Sequence, residues 1–145
     1  LRDNGASIEE IEEEILKTRD KVKSTLNFES LDNLVRGGRL PRVAGAIGTA
    51  LGLRLILEVK DGKMAVKDKV RGSKKALKKL ISDFESVDID FNEPIVLLDL
   101  LNEDVYFELK KYFEEKDIEY IDAKVGCTVG IHSGVKPCGL FFIVK

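Results

Sequence analysis

Leu53-Arg54-Leu55-Ile56-Leu57-Glu58-Val59-Lys60-Asp61-Gly62-Lys63-Met64-Ala65-Val66 reads as a β-hairpin. Leu53, Leu55, Leu57 and Val59 alternate with other residues, which is the pattern of a strand with one buried face. Asp61-Gly62 is a dipeptide suited to the positive φ angles of a two-residue hairpin turn. Met64, Val66 and Val70 continue the pattern on the returning strand. An antiparallel hairpin in the middle of the chain argues against a doubly wound parallel sheet.

On the C-terminal side, Ser73 is placed to cap a helix in which Ala76, Leu77, Leu80, Ile81 and Phe84 face the core. The apolar run Ile95–Leu101 predicts a buried strand. Asn102 caps the next helix, with Val105, Tyr106, Leu109, Tyr112 and Phe113 at helical spacing. Ile118, Tyr120 and Val125 suggest a further strand, and Gly139–Val144 the last. The acidic connection Asp83–Glu93 reads as the loosest point of the chain.

On the N-terminal side, Ser7-Ile8-Glu9-Glu10 is a capping box. Ile8, Ile11, Ile15 and Val22 follow at helical spacing, which predicts a helix over Ser7–Lys23. Leu26 and Phe28 suggest a short strand. Ser30 or Asp32 can cap a short helix ended by Gly37-Gly38. Pro41 can open another helix that Gly52 closes. Strands and helices interleave around the hairpin, so the expected class is α+β: a mixed β-sheet with helices on its faces and a central β-hairpin.

The 145 residues suffice for one domain with one core. A hydrophobic fraction of 43% and a charged fraction of 34% are ordinary for a soluble cytosolic domain, so a cytoplasmic location is expected. With 24 basic and 26 acidic residues the net charge is −2, which gives nucleic-acid binding no support. Cys127 and Cys138 make no disulfide framework, and with a single histidine their spacing fits no common zinc pattern. No metal and no cofactor is expected. No apolar run reaches transmembrane length. The start, Leu1-Arg2-Asp3-Asn4-Gly5, lacks Met and reads like the end of a preceding helix, so a piece of a longer protein is expected.

Three segments carry the candidate chemistry. In Arg36-Gly37-Gly38-Arg39-Leu40-Pro41, the glycines let the backbone take positive φ or approach another surface closely. Arg39 can then present its planar fork to a carboxylate or phosphate. The plain structural alternative is a helix C-cap followed by a solvated arginine. The small residues of Val43–Gly52 fit either tight packing or room for an apolar ligand tail. In Gly130-Ile131-His132-Ser133-Gly134 the glycines suggest a sharply bent loop that aims His132, against the alternative of a structural histidine. Neither Cys127 nor Ser133 has the partners of a nucleophile. Arg71, Lys74, Lys75, Lys78 and Lys79 form a basic face, either merely solvated or a docking surface for an acidic partner.

Taken together these segments resemble the DegV family, whose characterised members are bacterial fatty-acid-binding proteins. Leu31–Leu40 is similar to the family's GGRI segment, Val70–Ala76 to its RxxKKA segment, and Gly130–Gly134 to its GxHxG loop. The resemblance spans essentially the whole chain and is to the family's C-terminal domain. It implies that residues 1–145 form one such domain, with the family's N-terminal domain absent. It implies a long-chain fatty acid held in a tunnel between the two domains, the carboxylate gripped by hydroxyls of the N-terminal domain. His132 would join that polar network, Arg39 would support it, and Gly38, Gly130 and Ser133 would complete the ligand-binding set. Arg71, Lys74, Lys75 and Lys78 would dock a fatty acid kinase partner that phosphorylates the bound carboxylate. The protein is then a carrier and not itself an enzyme, with transient membrane contact for lipid exchange. Val135-Lys136-Pro137-Cys138 departs from the Pro-Gly-Thr that the family usually has after its loop. Weak or no lipid binding, and self-association through an exposed apolar face, are expected of the domain alone. Two other classes compete: a small-molecule phosphotransfer-related domain, for which neither a Walker loop nor a carboxylate cluster is present, and a regulatory protein-interaction domain using the Lys74–Lys79 face.

Overall fold

The computed structural model describes residues 1–41 and 52–145. The helix expected between Pro41 and Gly52, with its small-residue stretch, therefore lies outside the described residues. The observed elements are α1 (Ile8–Arg19), β1 (Val22–Phe28), α2 (Asp32–Arg36), β2 (Leu53–Lys60), β3 (Lys63–Arg71), α3 (Ser73–Glu85), β4 (Val96–Asp99), α4 (Val105–Glu115), β5 (Ile121–Lys124), α5 (Cys127–Ser133) and β6 (Cys138–Ile143). The six strands form one sheet in the order β3-β2-β1-β6-β4-β5. Among the described residues only β4 and β5 pair in parallel, so the sheet is mixed and the class is α+β, as expected.

The hairpin forms as read. Asp61 and Gly62 both have positive φ, 50° and 71°, between the paired residues Lys60 and Lys63. Alternation along the strands then divides the side chains between two cores. On one face Ile56, Leu97, Leu140 and Phe142 pack under Ala76, Leu80 and Phe84 of α3 and Val105, Leu109 and Phe113 of α4. On the other, Leu26, Phe28, Leu55 and Leu57 pack with Leu31, Leu34 and Leu40 around α2. Asp104 holds the N-cap position of α4 without a side-chain bond, and Asn102, two residues ahead, does the capping expected of it: its Oδ1 accepts from the Val105 and Tyr106 amides at 2.9 and 3.3 Å.

Several boundaries differ from the sequence reading. The Ser7–Glu10 capping box is present, but α1 stops at Arg19 and Val22 begins β1. Pairing of β1 with β6 from Val22 to Asn27 wins over continuing the helix. Nothing on α1 is buried, and Ile8, Ile15 and Leu16 are exposed. Ser73 is the first residue of α3 rather than its cap; its hydroxyl accepts from Arg54 and donates to Asp104 instead. Ile118 and Tyr120 pack on the core ahead of β5 rather than within it. The acidic connection is held: Asp90 and Lys145 donate backbone bonds to Ile143 and Asp88, and Ile89 bridges Val144. Gly130–Gly134 is no open loop; it is the end of α5, closed by Gly134 at φ 75°. Among the described residues no helix is long and apolar enough to cross a membrane.

Candidate functional site

The Gly37-Gly38 pair does two separate jobs. Gly38, at φ 71°, ends α2 in a Schellman arrangement: its amide bonds Val35 and the Arg39 amide bonds Leu34. Gly37 has ordinary helical φ, −77°, yet a Cβ there would run into the imidazole of His132. The cap and the close approach are both real, and they fall on different glycines.

His132 sits on the last turn of α5, which packs against α2. Its Nδ1 is buried without a hydrogen-bond partner among the described residues. An unpaired buried polar nitrogen is costly, and here it is covered by the backbone of Gly37. Ser133 beside it is buried, and its hydroxyl reaches the Gly134 carbonyl at 3.2 Å.

A cavity of about 340 Å³ opens beside these residues. His132, Ser133, Thr128 and Arg39 lie at its α5–α2 end, and Leu26, Phe28, Leu34, Leu98 and Phe141 make an almost wholly apolar floor and wall. The Arg39 guanidinium folds back on the Gly37 carbonyl at 2.7 Å, at the exposed rim. Thus Arg39 and His132, far apart in sequence, reach one cavity with Ser133. Gly38 and Gly130 do not line it. Gly38 shapes the turn that delivers Arg39, and Gly130 lies inside α5 against Leu100.

Cys138 lines the same cavity and is buried; burial pushes its thiol up to about 12. Cys127, at the start of α5, is exposed. Among the described residues no group of three or more His, Cys, Asp or Glu could hold a metal. The basic residues Arg71, Lys74, Lys75 and Lys78 are all exposed at the β3–α3 junction and along α3. Lys79 is not part of that free face. It is partly buried and pairs with Asp83 at 2.8 Å and Asp68 at 3.6 Å.

The family model described as "Uncharacterised protein, DegV family" matches residues 1–145. The chain belongs to the DegV family. It is 50% identical over 145 residues to a DegV domain-containing protein of Clostridium acetobutylicum, covering 100% of this chain and 52% of that relative. The chain spans about half the length of the curated relatives it matches. Among solved structures it is similar to a DegV lipid binding protein from Thermotoga maritima, with TM-score 0.79 and 25% identity over 98% of this chain and 50% of that one. The Fatty Acid Kinase (Fak) B3 protein of Streptococcus pneumoniae, loaded with linoleic acid, shares the fold with TM-score 0.86 and 22% identity, over 100% of this chain and 52% of that one.

The DegV motifs pointed to the polar end of the cavity. They did not point to Thr128 or Val129 on α5, or to Val59 and Met64 at the far end of the floor. The signal for the last two was present: the hairpin alternation puts Val59 and Met64 on the same face as Leu55 and Leu57. Thr128 carried no signal, because α5 itself was not legible.

Proposed function

We propose that this chain is the C-terminal half of a DegV carrier that holds a long-chain fatty acid, its acyl tail along the apolar cavity and its carboxylate toward His132, Ser133 and Arg39. One observation carries the reading. The cavity is apolar along its length, and the polar side chains that line it, His132, Ser133, Thr128 and Arg39, come from α5 and the turn after α2, at one end. A fatty acid has that same division. Burying the tail gains about 0.8 kcal/mol per methylene, so the tail supplies most of the affinity and the polar end orients the head. A buried carboxylate needs donors, and His132, Ser133 and Arg39 line the end where the head lies in this reading.

In this reading the rest of the protein closes the cavity over the sheet face and adds hydroxyls to the head-group end. The exposed Arg71, Lys74, Lys75 and Lys78 surface receives a fatty acid kinase, which does the chemistry on the presented carboxylate. The protein is then a carrier, and exchange of lipid brings it briefly to a membrane. The relatives' lipid-binding descriptions support the ligand class.

The test is mass spectrometry of an organic extract from the protein expressed with the coding sequence that flanks residues 1–145. One fatty acid per chain is expected, falling sharply in His132→Ala. A folded, monodisperse protein free of lipid and unable to take up added fatty acid would overturn the reading.

A further inference from the structure

A single row of residues crosses the floor of the cavity at its far end. Val59 of β2 pairs with Met64 of β3, Ser24 of β1 pairs with Phe141 of β6, and Phe141 pairs with Val96 of β4. The β1–β2 register, Leu26 with Leu57 and Phe28 with Leu55, puts Ser24 opposite Val59. There the backbone ladder gives out: the Val59 amide donates instead to the Ser24 hydroxyl at 2.8 Å. Residues in register share a face, so the row presents large, small and large side chains in succession: Val59, Ser24, Phe141. Ser24 is buried at the bottom of a notch whose walls are Val59 and Phe141.

The notch divides two spaces. The first is the cavity of about 340 Å³ that ends on His132. The second, of about 580 Å³, lies beyond it, and Val59 and Phe141 line both. The walls become more mixed at the notch. Arg19, Asp20 and Asp61 join Val22, Ser24 and the Gly62 turn around the second space, whereas Leu26, Phe28 and Leu98 line the almost wholly apolar first. From Phe28, at the His132 end, to Ser24 is four residues of strand, roughly 13 Å at about 3.3 Å per residue.

We infer that the Val59–Ser24–Phe141 notch sets the length of acyl chain this protein selects. The inference rests on the lipid-binding reading above. A tail that ends short of the notch is buried along its whole length in apolar surroundings. A longer tail threads over Ser24 between Val59 and Phe141, and its last methylenes enter a space of mixed apolar and charged lining, where burial gains less than in the first. Narrowing the notch therefore shifts preference toward short chains, and widening it toward long ones.

The experiment is a competition. The protein, with its flanking sequence, is incubated with an equimolar series of saturated fatty acids, and the retained chains are quantified by mass spectrometry. Val59→Phe is expected to shift the ratio of long to short chains about tenfold toward short, the effect of losing burial of about two methylenes. Val59→Ala shifts it the other way. His132→Ala lowers the total retained while leaving the length distribution as in the wild type. Val59 is partly exposed near a hairpin end, and matching melting temperatures establish that the variants fold. Lipid retained by the wild type and both Val59 variants with the same length distribution overturns the ruler and leaves the carrier reading standing. A wild type that retains no fatty acid overturns both.

Discussion

The backbone of Gly37 lies so close to the Nδ1 side of His132 that no side chain fits between them. Because Gly37 has helical φ, alanine there meets no backbone strain, only the imidazole and the Asn33 carbonyl. Gly37→Ala is therefore expected to displace His132, lowering lipid retention much as His132→Ala does and costing about 1–3 kcal/mol by overpacking. The double variant Gly37→Ala, His132→Ala removes the clash and is expected to be more stable than Gly37→Ala alone. Thermal melts of the four proteins check this; strict additivity would sink the idea.

Asn102 is tied four ways. Its amide donates to Asp99, its Nδ2 to the Lys136 carbonyl at 2.7 Å, and its Oδ1 accepts two amides of the first turn of α4. Asn102→Ala is expected to destabilise by about 2 kcal/mol, at the upper end for a cap, because the side chain is buried. Asn102→Asp keeps the cap but places a carboxylate against the Lys136 carbonyl, so it recovers only part of the loss. Chemical denaturation measures both.

Asp83 is buried on α3, accepting from the Thr25 hydroxyl at 3.0 Å and from Lys79 at 2.8 Å, with Lys67 at 3.2 Å. Burial by itself raises its carboxyl, but Lys79, Lys67 and Thr25 more than offset this, and the net shift is downward from 3.8. A depressed carboxylate stabilises the fold fully above its unfolded value, and that contribution is lost as pH falls below about 4 toward the folded value. In Asp83→Asn this loss at acid pH is expected to be absent, with lower stability at neutral pH. Melting temperature against pH for the two proteins is the check; parallel curves below pH 4 would contradict it.

Reversing charge at Arg71, Lys74 and Lys78 together is expected to leave stability within about 0.5 kcal/mol and lipid retention intact, since the three are exposed and away from the cavity. The same variant should lose binding to a fatty acid kinase partner, and the wild-type affinity should fall with added salt. Equal partner binding by both proteins would remove this face from the proposal.

The hairpin was legible because period-two alternation and Asp61-Gly62 agree with the final packing. The Asn102 cap was legible because local spacing alone specifies it. The helix α5 was not legible. Gly126, Gly130 and Gly134 punctuate it, and Thr128, Val129 and Ile131 are poor helix formers, so its seven residues read as loop. What holds it is packing against α2, a contact across the chain that no local pattern announces. The α1 boundary failed for a related reason, since Val22 fits the helical stripe equally well until β6 claims it. Arg39 and His132 could be named singly from the glycines around them. Their meeting at one cavity follows from the order of the strands between them.

The two thiols of residues 1–145 differ so much in environment that this segment carries a single addressable handle. Cys138 is buried, and with its thiol raised to about 12 it holds almost no thiolate at neutral pH. Cys127 is exposed on the helix that carries Thr128, Val129 and His132 to the cavity. Within these residues a maleimide dye therefore attaches at one known position, on the helix that lines the cavity, with Cys138 left in place. If the cavity takes up a ligand as proposed, the emission of that dye is expected to follow filling and emptying in real time.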